Sequence, residues 1–144
     1  MAKRILVPLG TSEHADAVLP LVADLARAAG ATVRLLHVTP YARTRFSADN
    51  RVIHYAHQQE ERDARAAEGW LRQVTPLLDG IDVERRVRVG DPGEEILREA
   101  DAFGADAIVL RASPWRWWRR ALGRVVTRVR AKAEAPVVVL SEAA

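Results

Sequence analysis

The chain of 144 residues has no cysteine, no repeat, no low-complexity segment and no long apolar run. Without cysteine it cannot form disulfide bonds, zinc–thiolate sites, cysteine-ligated iron–sulfur clusters or a cysteine nucleophile. The apolar run nearest the start, residues 5–9, is too short for a signal-peptide core or a membrane span. These absences predict a cytoplasmic protein, and the length predicts that residues 1–144 form a single domain.

Recognisable catalytic motifs are missing as well. The sequence contains no Gly-x-Ser-x-Gly elbow, no Walker-type phosphate loop and no familiar frame of paired catalytic carboxylates. No side chain therefore stands out as a nucleophile or a general base. The sequence predicts a protein that is not an enzyme.

The histidines are the main candidates for contact with a metal or a ligand. His54 and His57 are spaced i,i+3 on a predicted helix, and Glu61 follows one turn later, so the three would share one face. We interpret this face as solvent-exposed and predict no metal site, because nothing fixes an inner coordination geometry. We expect His14 at the surface, with contact to a ligand as the alternative. His37, on a central strand, is predicted to be buried and hydrogen-bonded.

The hydrophobic pattern alternates between β-branched apolar runs and segments of helical period, which is typical of a parallel sheet covered on both faces. The predicted strands are residues 3–9, 32–38, 81–89, 105–110 and 136–140. Helices are predicted between them, the last one carrying Trp118, Leu122, Val125, Val126 and Val129 on one face. This arrangement favours an α/β fold with a doubly wound, Rossmann-like open sheet.

Turn residues mark the expected helix ends. Ser12 is predicted to cap the first helix and Gly30 to stop it. The long helix over residues 51–78 is expected to bend near Gly69 or to break at Pro76. Asp91 is predicted to cap the next helix, with Pro92 in its first turn.

Charge is unevenly distributed along the chain. The net charge is only +3, yet residues 111–132 contain eight of the 22 basic residues and none of the 19 acidic ones. Arginines recur at i+4 spacing at positions 116, 120, 124 and 128, and tryptophans occupy positions 115, 117 and 118. We interpret residues 115–128 as packing against acidic parts of the same protein or of a dimer mate. A surface for nucleic acid or anionic membrane is the alternative.

Several segments, in the same order along the chain, resemble the universal stress protein family. Residues 5–14 (ILVPLGTSEH) are similar to its first strand and turn, and residues 35–38 (LLHV) to its second strand. Residues 90–97 (GDPGEEIL) resemble its third strand-to-helix junction. Residues 105–110 (ADAIVL) and 135–139 (APVVV) are similar to its last two strands.

The resemblance implies a five-stranded parallel sheet in the order 3-2-1-4-5, with helices on both faces. It also implies a homodimer formed through the last strand, and an apolar edge strand of this kind would need covering. The residues of that strand are Val137, Val138, Val139 and Leu140. A ligand would then meet the loops at residues 9–12 and 111–124, at the point where the strand order reverses.

The nucleotide-binding pattern of the family is degraded in this chain. The ATP-binding members that it resembles have Asp after the first strand, and Gly-x-x-Gly followed by Gly-Ser or Gly-Thr after the fourth. Here Gly10 replaces the Asp, Arg111 and Pro114 replace the first two glycines, and Arg124 follows the remaining Gly123. Proline donates no N–H, and an arginine does not freely adopt the positive φ of glycine. We therefore predict no bound cofactor in the usual ATP mode.

Three hypotheses remain open. The first is a dimeric binding or signalling module of stress response, without turnover, that binds an unidentified protein or small molecule. The second is an ATP- or AMP-binding member, in which Arg111, Ser113 and Arg124 contact the phosphates. The third is a binder of nucleic acid or membrane surfaces through residues 115–128. The candidate ligand-binding residues are Gly10, Thr11, Val38, Arg111, Ser113, Gly123 and Arg124.

Overall fold

The computed structural model describes residues 3–10, 12–39, 51–111, 127 and 137–140. The strands are β1 (Arg4–Pro8), β2 (Thr32–Thr39), β3 (Val83–Val89), β4 (Ala107–Arg111) and β5 (Val137–Leu140). The helices are α1 (Ser12–Ala29), α2 (Arg51–Val74) and α3 (Pro92–Phe103), and a 3₁₀ turn, Thr75–Leu78, follows α2. The predicted last helix lies outside the described residues, apart from the helical Thr127.

The strands form one parallel sheet in the order β3-β2-β1-β4-β5. β1 lies in its interior, between β2 and β4. The prediction of a parallel α/β sheet is therefore confirmed. β4 begins at Ala107 and not at residue 105, because Asp106 belongs to the preceding turn, where its carboxylate accepts a hydrogen bond from the Arg4 N–H at 2.8 Å.

Each face of the sheet buries its own apolar core. Alternate strand residues, such as Val7 and Leu35, pack with α1 and α2 on one face. Their neighbours, such as Leu6 and Leu36, pack with α3 on the other. From β1 the chain first adds strands on one side of the sheet and then, after β3, on the other side. Because the crossovers are right-handed, this change places helices on both faces, as the sequence pattern predicted.

The predicted turn residues mostly act as expected. The Asp91 carboxylate accepts a hydrogen bond from the Glu94 N–H at 3.0 Å and caps α3, and Gly30 takes a positive φ of 62° after α1. α2 runs through Gly69 without a break and passes into the 3₁₀ turn at Pro76. Of the two predicted positions for a distortion, the break at Pro76 is the correct one, because proline donates no N–H to the helix ladder.

Candidate functional site

The strand order reverses beside β1, so we expect a ligand to bind at the carboxyl ends of β1 and β4. Gly10 follows β1 at this edge, and the backbone of Arg111 ends β4 beside it. The structure therefore brings these two predicted site residues to the same edge. Thr11, Ser113, Gly123 and Arg124 lie outside the described residues, as does the tryptophan-rich part of the basic segment.

Gly10 gives this edge no side chain at the end of β1. The residue before it, Leu9, is buried, and its N–H donates to the Leu36 carbonyl at 2.8 Å, so the chain enters the turn from a fixed position. Gly10 itself therefore offers a ligand only main-chain atoms, in place of the Asp that the ATP-binding pattern has at this position.

His37 holds the end of β1 against α2. Its Nδ1 lies 2.8 Å from the Leu9 carbonyl oxygen, and since that oxygen only accepts, Nδ1 carries the proton. Its ring meets Trp70 edge-on, with centroids 5.3 Å apart. Burial lowers the pKa of His37, because the cost of desolvating an imidazolium outweighs the hydrogen bond to Leu9 and the attraction of Asp63. The prediction of a hydrogen-bonded histidine is confirmed, but the ring is half-buried and not fully enclosed.

The end of β2 offers a polar group that sequence reasoning missed. The side chain of Val38, predicted as a ligand contact, packs in the core on the α3 face, so only its backbone is available to a ligand. The next residue, Thr39, is 2% exposed, and its Oγ1 has no hydrogen-bond partner among the described residues. A buried hydroxyl without a partner costs about 1–3 kcal/mol, so Thr39 marks a position where a ligand atom or a water would be stabilised. The sequence signal was a threonine directly after the apolar Val38 at the end of the strand.

A second polar group missed by sequence reasoning lies on the α3 face of the sheet. The Glu99 carboxylate has no solvent exposure and accepts hydrogen bonds from Arg34, at 2.7 Å, and from Arg88. Arg34 also lies over the Phe103 ring, 4.1 Å from its centroid, and pairs with the exposed Glu84 at 2.5 Å. Although burial disfavours the carboxylate, the hydrogen bonds from Arg88 and Arg34 outweigh it and lower the pKa of Glu99. This cluster joins α3 to β2 and β3 and has a structural role.

The described side chains do not support a metal site at His54, His57 and Glu61. Within the described parts of the chain, no three His, Asp or Glu side chains are grouped so as to hold a metal ion. The side chains of His14, His54 and His57 lie outside the part of the chain that the structure describes. Glu61, the third member of the predicted set, forms an exposed ion pair with Arg65 at 4.0 Å. Among the described helices, none combines the length and apolarity that crossing a bilayer requires.

Comparison with known proteins agrees with the fold. The chain is 23% identical to the hypothetical protein MJ0577 (TM-score 0.80), covering 100% of this chain and 99% of that one. It is 22% identical to the universal stress protein UspA from Lactobacillus plantarum (TM-score 0.77), covering 96% and 97%. It is 18% identical to an AMP-bound universal stress protein family protein from Arabidopsis thaliana (TM-score 0.60), covering 99% and 93%. At these identities the likeness shows a shared fold.

No curated protein matches the sequence. The model of the universal stress protein family, in contrast, matches residues 1–141, which is nearly the whole chain. Together with the order of the parallel sheet, this match shows that the chain belongs to the universal stress protein family.

Proposed function

We propose that this protein is a dimeric binding module of stress response that holds a ligand at the carboxyl ends of β1 and β4 without turning it over. The observation that carries the proposal is Gly10, which stands at the end of β1 where the ATP-binding pattern has a carboxylate. The substitutions Arg111 and Pro114 on the other side of the proposed site support it, because they remove two glycine positions from the phosphate cradle. The usual triphosphate mode is then disfavoured from both sides.

The proposed dimer forms through β5. Val138 is paired with Val109, whose side chain lies in the α1 core, so both point to the same face of the sheet. Val138 is 38% exposed there, and the apolar β5 forms an edge of the sheet. An apolar edge strand of this kind is a surface that a second copy would cover.

Two exposed leucines on α1 extend the proposed contact. Arg27 of α1 donates to the Asp79 carbonyl at 3.0 Å, which places the 3₁₀ turn on that flank of the helix. By helical spacing, Leu21 and Leu25 lie on the opposite flank, toward the β4 and β5 half of the sheet. Both are close to half exposed. A second copy seated on β5 would therefore have an apolar helix flank beside it.

Nucleotide binding is the second candidate function, and one observation favours it: a solved relative of the same fold, the Arabidopsis thaliana protein, has AMP bound. In this chain the phosphates would have to be held by the side chains of Arg111, Ser113 and Arg124 in place of backbone N–H groups. The orphan Thr39 hydroxyl, at the end of β2, would be available to a base or a sugar.

Calorimetric titration of the full-length protein with ATP and AMP, with and without magnesium, separates the two functions. The first predicts no saturation below about 1 mM, corresponding to less than about 4 kcal/mol of binding free energy. Saturation in the micromolar range would replace it with the second. Gly10→Asp provides a matched gain-of-function variant: if the missing carboxylate is what weakens binding, this substitution strengthens it, whereas Gly10→Asn shows the effect of size without charge.

A further inference from the structure

The outer edge of β3 has the geometry and the charge pattern of a surface that pairs with another strand. β3 is the outermost strand on its side of the described sheet, opposite to β5. Its face toward α3 carries two acidic residues followed by two basic ones, Asp82, Glu84, Arg86 and Arg88. Its other face carries Val83, Arg85 and Val87. A natural edge strand of seven residues normally needs protection from pairing with other chains.

Backbone hydrogen bonds show which groups of β3 face β2 and which point away from it. The Asp82 carbonyl accepts from Val33 on β2, and the Gly90 N–H donates to Thr39 on β2. Along a strand, successive residues turn their N–H and C=O groups to alternate sides. Even-numbered residues of β3 therefore face β2, and the N–H and C=O groups of Val83, Arg85 and Val87 point outward. A second strand would find a regular ladder of donors and acceptors there.

We propose that this edge pairs with β3 of a second copy of the chain, antiparallel and centred on Arg85. Two antiparallel edge strands are related by a two-fold axis perpendicular to the sheet, so opposite residues lie on the same face. With Arg85 at the axis, Glu84 lies opposite Arg86 of the second copy, and Val83 lies opposite Val87. Asp82 and Arg88 form the next pair outward.

Charge pairing favours the register centred on Arg85 over the registers centred on Glu84 or Arg86. If the axis passes through Glu84, the two copies of Glu84 lie opposite each other, and if it passes through Arg86, the two arginines do so. In the Arg85 register, every opposed pair on the α3 face joins an acid to a base. Glu84 also pairs with Arg34, and Arg86 lies 3.7 Å from Glu99, yet their side chains are 49% and 61% exposed, so a second copy can reach both charges at the edge.

The one like-charged pair in this register is Arg85 with itself. Its side chain is held toward the 3₁₀ turn, because Nη1 donates to Thr75 Oγ1 at 3.3 Å. Arg85 also lines a 250 Å³ cleft in which Glu68 and Arg72 are further charged residues. Opposed residues that share hydrogen bonds in an antiparallel ladder are also about 5.5 Å apart at Cα, the wider of the two spacings.

Analytical ultracentrifugation of charge variants tests the pairing, in the background of Val138→Glu so that β5 does not contribute. The parent is expected to associate as its concentration rises toward about 1 mM. Glu84→Arg and Arg86→Glu each place like charges opposite each other twice per interface, and each is expected to weaken association by about tenfold or more. An equal mixture of the two variants should associate again, because each then meets the opposite charge.

Matched controls make the same charge changes away from the edge: Asp101→Arg on α3 and Arg62→Glu on α2, both exposed. They should leave association unchanged. Arg85→Pro removes an outward N–H without touching the ladder to β2, and is expected to abolish association while circular dichroism shows a folded protein. This variant keeps the test valid if a charge variant fails to fold.

Three outcomes would overturn the proposal: a parent that stays monomeric throughout the series, variants that associate as well as the parent, or a mixture that does not recover. The proposed β5 dimer is judged separately. It fails if the natural protein and Val138→Glu have the same mass at every concentration, whatever happens at β3.

Discussion

Arg34 donates from Nη1 to the Oε1 of Glu99 at 2.7 Å, joining a strand residue to a helix residue 65 positions later in the chain. Arg88 completes the contact from β3. A carboxylate with no solvent exposure is tolerated here because both oxygens accept charge-assisted hydrogen bonds. This relationship fixes α3 to the β2 and β3 half of the sheet.

Removing the Glu99 carboxylate should destabilise the fold strongly. Glu99→Ala removes the buried counter-charge that Arg34 and Arg88 share and leaves them only Glu84 and Glu95 as partners, so the free energy of unfolding is expected to fall by about 3–5 kcal/mol. Urea denaturation measures this. Asp101→Ala, two positions along the same helix and exposed, is the control and should change stability by less than about 0.5 kcal/mol. Similar losses in both variants would show that the cluster does not stabilise the fold.

His37 should make stability depend on pH near neutrality. Its pKa in the folded protein is below the ordinary value of 6.5, so the unfolded chain binds the proton more readily. The stabilisation is therefore complete above pH 6.5 and is lost as pH falls from there through the folded pKa. Urea midpoints measured between about pH 5 and pH 7.5 should rise with pH. In His37→Gln the slope over this range should decrease. An unchanged slope would assign the pH dependence to other groups.

The lowered pKa of Glu99 acts in a separate and more acidic range. Its contribution is present above the ordinary glutamate pKa of about 4.3 and is lost as pH falls through the lower folded value. The two groups are thus distinguishable in one pH series.

Alanine substitutions at Gly90 and Gly69 should change the free energy of unfolding in opposite directions. Gly90 has a φ of 150°, and a Cβ there would lie 3.1 Å from the Glu95 carboxylate, so Gly90→Ala is expected to cost about 1–3 kcal/mol. Gly69 lies within α2 with nothing near its missing Cβ, so Gly69→Ala should add about 0.5–1 kcal/mol. Thermal unfolding of the two variants checks both signs. A stabilised Gly90→Ala would mean that the turn after β3 has another conformation.

Thr39→Val tests the orphan hydroxyl at the end of β2. The substitution keeps the shape and removes an oxygen that has no partner, so the free energy of unfolding without ligand should stay the same or rise by about 1 kcal/mol. Thr39→Ser keeps the hydroxyl and is the control. If Thr39→Val instead destabilises the protein, a water or a protein group already satisfies that oxygen.

Much of the fold was accessible from the sequence because each element carries a local signal. The strands predicted over residues 3–9 and 32–38 form at Arg4–Pro8 and Thr32–Thr39, and the Asp91 cap and the proline at position 76 likewise act through neighbours within a few residues. The order of the strands was not readable from periodicity and came from the family resemblance. In the candidate site, the position of Gly10 shortly after β1 followed from the strand predicted over residues 3–9, and its role toward a ligand stays a prediction.

The sequence by itself determined the parallel α/β architecture, the glycine at position 10 and the two acidic residues followed by two basic ones at alternate positions 82–88. Only the tertiary structure decided that Glu99 is buried, that Thr39 lacks a partner and that His37 holds Leu9. Local patterns specify which segments become strands and helices, because those depend on neighbours in the chain. The environment of a side chain depends on residues tens of positions away, and they meet only when the sheet assembles.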